Sequence, residues 1–118
     1  MPSGYIDDGY TIEATIEGKD GEYDEIEIEY RPLLRKEMWR HSQAVTKAKE
    51  NEDLEKIDEL VAELVVQKVI SWTLFDRNGK SVPLTAENVL RLHTDLFNQL
   101  ILIIMRSKEQ DNTTAKNL

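Results

Sequence analysis

The sequence contains no cysteine. That excludes disulfides, thiolate metal ligands and cysteine nucleophiles at once. Its five glycines form no phosphate-cradling run and fall where turns are expected. Long apolar runs are missing as well. The longest, Leu100 to Met105, is far short of the roughly 20 residues a spanning helix needs, and Asn98, Gln99 and Arg106 flank it. The first residues carry neither a basic stretch nor an apolar stretch, so no secretory signal is expected. Positive charge is scarce: 15 Lys and Arg against 23 Asp and Glu give a net charge of -8 and a pI ≈ 4.8. Such a balance disfavours nonspecific attraction to nucleic acid and to anionic membranes. The expectation is a cytoplasmic protein with no nucleic-acid or membrane partner.

What is present suffices for one domain. The 118 residues can bury a core without covalent staples. Residues 1–106 are expected to form a single compact domain and residues 107–118 a disordered polar tail. From Tyr10 the pattern alternates: Tyr10, Ile12, Ala14 and Ile16 on one face, Thr11, Glu13, Thr15 and Glu17 on the other. That is a half-buried strand. Gly18 to Gly21 reads as a turn, and a second alternating strand runs from about Tyr23 to Tyr30. Its outer row, Glu25, Glu27 and Glu29, is either a solvated face that discourages edge pairing or the anionic row of a DNA mimic.

Helical periodicity follows. Pro32 suits a first turn, and Leu34, Met38, His41 or Ser42, and Val45 recur at helical spacing, with Trp39 widening the apolar stripe. Arg31, Arg35, Lys36 and Arg40 make this the one basic stretch, interrupted by Glu37. After a charged break, Asn51 or Asp53 can cap a second helix. Its stripe of Leu54, Ile57, Leu60, Val61, Leu64, Val65, Lys68, Val69 and Trp72 predicts an end near Ser71. Asn78-Gly79 signals a tight turn, with Trp72 to Phe75 and Ser81 to Pro83 as arms of a short hairpin. Thr85 is placed to cap a third helix, with Glu87 in its first turn. Val89, Leu90 and Leu92 form its apolar side. Thr94 or Asp95 caps a last helix that is apolar nearly all round, which suits deep burial or association. The fold class is α+β, mainly α: an N-terminal antiparallel β-hairpin, three or four helices, and a short second hairpin around residues 72–83.

The stretch from Val69 to Leu92, with Val-Ile-Ser-Trp-Thr-Leu, Asp76, Asn-Gly-Lys, Val-Pro-Leu-Thr and Glu-Asn-Val-Leu at its fixed positions, resembles the C-terminal half of the small tail-assembly chaperones of long-tailed bacteriophages and prophages. It is a packing and turn signature that, with a looser extension to Met105, covers about a third of the chain. The resemblance implies a non-enzymatic protein of the host cytoplasm that binds a tape-measure or tail-tube protein during tail assembly, and that self-associates as an oligomer. It supplies no catalytic residues. The candidate partner-binding residues are Trp72, Leu96, Phe97, Leu100, Ile101 and Ile104. The alternatives are an acidic inhibitor of the DNA-mimic kind and a structural domain without a client.

No enzyme chemistry is legible. His41 and His93 lack ligand-spaced partners, so no metal is expected. Ser42 beside His41 cannot form a nucleophile and base on a helix, because adjacent residues point apart. No pattern marks a buried carboxyl of the kind a general acid requires. No cofactor is expected.

Overall fold

The computed structural model describes residues 4–105. The tail expected over residues 107–118 lies outside them. The element order is β1 (Ile12–Ile16), β2 (Ile26–Tyr30), α1 (Arg35–Glu50), α2 (Leu54–Lys68), β3 (Val69–Trp72), α3 (Ala86–Val89) and α4 (Thr94–Met105). The class is α+β, but the N-terminal hairpin is part of a three-stranded antiparallel sheet of order β1-β2-β3.

Alternation sets the register of the first pair. Ile12, Ala14 and Ile16 sit opposite Tyr30, Ile28 and Ile26, all on the core side. Glu13 faces Glu29, and Thr15 faces Glu27, on the other side. The connection tightens around Gly18. A Cβ there would lie 2.8 Å from the backbone nitrogen of Glu25 and 3.0 Å from the carbonyl oxygen of Tyr23. Gly21 takes φ +77 in the same turn, where a side chain would be strained.

The periodicity of the sequence carries the second helix to about Ser71, but the structure ends it at Lys68. Val69 to Trp72 instead form the third strand, and the Arg31 amide donates to the Lys68 carbonyl at 2.8 Å where the exchange begins. The physical reason is nonlocal. One edge of β2 would be left with unpaired backbone groups, and β-branched Val69 and Ile70 suit a strand. A bulge between Glu29 and Tyr30 absorbs one residue, so that Tyr30 faces Val69 and Glu29 faces Ser71. The hairpin expected around residues 72–83 shrinks accordingly. Trp72 belongs to β3, and Phe75 bridges Ser81 around the turn in which Gly79 takes φ +79.

The helix caps are chemically ordinary. The Asp53 carboxylate accepts from the Lys56 amide at 3.1 Å, and the Thr85 hydroxyl accepts from the Asn88 amide at 3.2 Å. Pro32 lies ahead of α1 rather than in its first turn, and the Glu37 carboxylate accepts from the Leu34 amide at 3.0 Å. Helices α2 and α4 cover one face of the sheet. The core joins Ile16, Ile26, Ile28, Tyr30 and Val69 to Ala62, Val65, Val89, Leu96, Leu100, Ile103 and Ile104. The opposite face, with Glu13, Thr15, Glu27, Ser71 and Thr73, stays open to solvent. Among the described residues, no helix is long and apolar enough to cross a membrane.

Candidate functional site

Three places hold enough polar or apolar groups to be weighed as sites. The first is a clasp between the β1–β2 connection and the start of α4. The Tyr23 hydroxyl donates to Asp95 at 2.9 Å, and Gln99 Nε2 donates to the Tyr23 oxygen at 3.0 Å. Lys19 lies 3.2 Å from Glu22 and 3.7 Å from Asp95, and the Tyr23 and His93 rings are 5.7 Å apart. The Tyr23 bond and the Lys19 charge hold the Asp95 carboxyl below its ordinary range, while partial desolvation and Asp95 push the Tyr23 phenol up. Each shift favours the proton arrangement already present, with the phenol protonated and the carboxylate charged. That is a latch between two segments.

The second is an open groove of about 960 Å³ where β2 and the chain after β3 diverge, bounded by Tyr23, Glu25, Thr73, Phe75, Arg91 and His93. Charges of both signs line it, and no polar atom of a described buried side chain lacks a partner. Nor do three or more His, Asp or Glu side chains converge in a metal-holding cluster anywhere among the described residues.

The residues the sequence nominated for partner binding lie elsewhere. Leu96 is 2% exposed, and Leu100 and Ile104 are 1% exposed; all three are core. Phe97 and Ile101 are half-buried against that core. Trp72 is half-buried in the sheet, its indole N–H donating to the Val82 carbonyl at 2.8 Å. Packing of α4 on β1 and α2 takes Leu96, Leu100 and Ile104 out of a partner's reach in the closed fold, while Trp72, Phe97 and Ile101 stay half-buried and Leu102 is 51% exposed. The glutamate row is also less regular than expected. Glu29 is half-buried and accepts from the Thr11 hydroxyl at 2.8 Å, whereas Glu25 and Glu27 remain exposed.

The third place is the outward face of α1. This helix packs principally on α2. It turns Met38, His41, Ala44, Val45 and Ala48 inward, and burial holds the His41 imidazole below its ordinary value. Glu37 also faces inward and pairs with Lys68, which is only 7% exposed. Trp39 does not widen this stripe. At about 100° per residue it falls nearly opposite the stripe's centre, and it is 63% exposed. Arg35, Lys36, Arg40, Gln43 and Lys47 surround it, all exposed. Leu34, at the start of the helix, is 45% exposed rather than part of the apolar stripe. The signal for this face was in the sequence as the basic stretch. What was missed was the helical phase, which puts the tryptophan among those charges.

Comparison with known proteins leaves the chain on its own: no protein-family model, no curated protein and no solved structure matches it.

Proposed function

We propose that this chain is a non-enzymatic interaction protein, a tail-assembly chaperone of the bacteriophage kind that binds a tape-measure or tail-tube protein in the host cytoplasm. The observation that carries the interaction reading is the outward face of α1, where a tryptophan is 63% exposed on a helix with one-sided packing. Tryptophan is enriched at the energetic centres of protein interfaces and costly to leave in water. The tail-assembly part of the proposal draws on the resemblance over Val69 to Leu92. In the structure those residues supply β3, the Phe75–Ser81 turn and α3.

The test is co-expression of the tagged chain with the long helical product of the gene next to its own, followed by affinity recovery and light scattering. A stoichiometric complex that survives size exclusion supports the proposal. Recovery of the bait alone refutes the tail-assembly reading. Aspartates at Leu100 and Ile104 would be uninformative in this assay, because both side chains are core and the variants would unfold.

A further inference from the structure

The charge of this chain is divided very unevenly. Residues 31–49 hold six of its 15 basic side chains, Arg31, Arg35, Lys36, Arg40, Lys47 and Lys49, and one of its 23 acidic ones, Glu37. That single acid is turned inward onto Lys68. Four of the six, Arg35, Lys36, Arg40 and Lys47, are exposed around the Trp39 indole on the outward face of α1, and Glu50 ends that face at the C-terminus of the helix.

From this we infer that the outward face of α1 is the docking site for an acidic amphipathic helix of a partner protein. The inference rests on the reading of the chain as an interaction protein, and it names the chemistry of the partner. Four features of α1 specify the occupant. First, the face is a straight ridge: Lys36, Trp39, Gln43 and Lys47 recur at three- and four-residue spacing, the spacing a second helix matches when packed alongside. Second, Trp39 offers one large apolar contact near the middle of the charged span, so the partner supplies an apolar side chain there. Third, Arg35 and Lys36 on one side of Trp39 and Arg40 and Lys47 on the other call for carboxylates flanking that contact. Fourth, the basic face lies within a molecule of net charge -8. A long polyanion such as DNA, or an anionic bilayer, would extend over the acidic remainder and be repelled by it. A single helix is confined to α1, about 24 Å long, and beyond roughly 8 Å the remaining charges are screened at physiological salt.

The probe is a fluorescein-labelled, amidated peptide of about four helical turns, with leucines at three- and four-residue spacing and glutamates flanking them. Its lysine-for-glutamate counterpart, a short DNA duplex and phosphatidylserine vesicles serve as competitors of other classes. Anisotropy of the acidic peptide is expected to rise saturably on addition of the full chain. The affinity should fall at least tenfold in Trp39→Ala and in the double variant Arg35→Glu, Arg40→Glu, and it should fall with added salt. The lysine peptide should not bind. The three residues are exposed, so circular dichroism should show unchanged folding. Absence of binding, affinity unchanged in these variants, or DNA or vesicle binding that the same variants abolish would overturn the inference. The two proposals separate cleanly. A tape-measure complex that persists in Trp39→Ala overturns this surface and leaves the function standing. Peptide binding without any tape-measure complex supports the surface and removes that client.

Discussion

The ion pair between Glu37 and Lys68 gives a prediction in which the two halves of one contact behave differently. The Lys68 side chain is 8% exposed and that of Glu37 33%. The ammonium is thus almost wholly out of water, while the carboxylate keeps part of its hydration and a second donor, the Leu34 amide at 3.0 Å. Glu37→Gln preserves shape and can still accept from Leu34, but it leaves a buried ammonium without its counter-charge. Breaking a fully buried pair this way costs roughly 3–5 kcal/mol; with one partner a third exposed, about 2 kcal/mol is expected. Lys68→Met removes the buried charge and fills the same volume, leaving Glu37 with water and the Leu34 amide, so a cost under about 1 kcal/mol is expected. The double variant should resemble Lys68→Met alone, giving a coupling of about 2 kcal/mol in the double-mutant cycle. Urea unfolding at neutral pH, followed by circular dichroism, measures all four proteins. If Glu37→Gln is no more destabilising than Lys68→Met, the buried-charge account of this contact is wrong.

Further outcomes follow from the same contacts. Burial raises the Glu37 carboxyl, but the Lys68 and Leu34 hydrogen bonds outweigh it, and the net direction is down. A carboxyl lowered in the folded state adds stability above its unfolded value, about pH 4.3, and loses it as the pH falls through the folded value. Acid titration of stability should therefore be shallower below that pH in Glu37→Gln than in the parent. Gly18→Ala would place a methyl against backbone atoms of Tyr23 and Glu25 that cannot swing away. It should cost about 1–3 kcal/mol, seen as a lower thermal midpoint. At Gly79, where nothing lies within 4 Å, the same change should cost only the strain of its positive φ, about 1 kcal/mol. Leu100→Ala should cost about 2–5 kcal/mol in denaturant unfolding, whereas Leu102→Ala, one turn-face away and 51% exposed, should cost under about 1 kcal/mol.

Local chemistry was the legible part of this fold. Of Asn51 and Asp53 it is Asp53 that caps the second helix, and Thr85 caps the third, because a short oxygen-bearing side chain before an apolar run has few other uses. The alternation from Ile12 to Ile16 and from Ile26 to Tyr30 fixed which side of each strand faces the core. The failures share a nonlocal cause. Val69 and Trp72 continue the helical stripe of Leu64, Val65 and Lys68, and the same two residues satisfy a strand. What decides between them is the free edge of β2, some 40 residues earlier in the chain. The all-round apolar pattern of α4 does not say which side is buried; packing on β1 and α2 buries Leu96, Leu100, Ile103 and Ile104 and leaves Leu102 51% exposed. Trp39 was a different kind of miss. Its neighbour Met38 faces inward, and on a helix adjacent residues point about 100° apart, so the two do not share a face.

Helix α1 contributes no residue to the central core cluster, and none of its hydrophobic side chains packs against that cluster. Its inward face meets α2, with Ala48 its one fully buried side chain, and the Glu37–Lys68 pair ties its first turn down. Opening of α1 therefore exposes little apolar surface and need not disturb the sheet. Amide protons of α1 should exchange with solvent through local undocking, at free energies well below global unfolding, while those of β2 and the middle of α4 exchange only when the whole domain opens. The helix bearing Trp39 is thus less tied to the central core than α2 or α4, and a bound partner would register as slowed exchange along it.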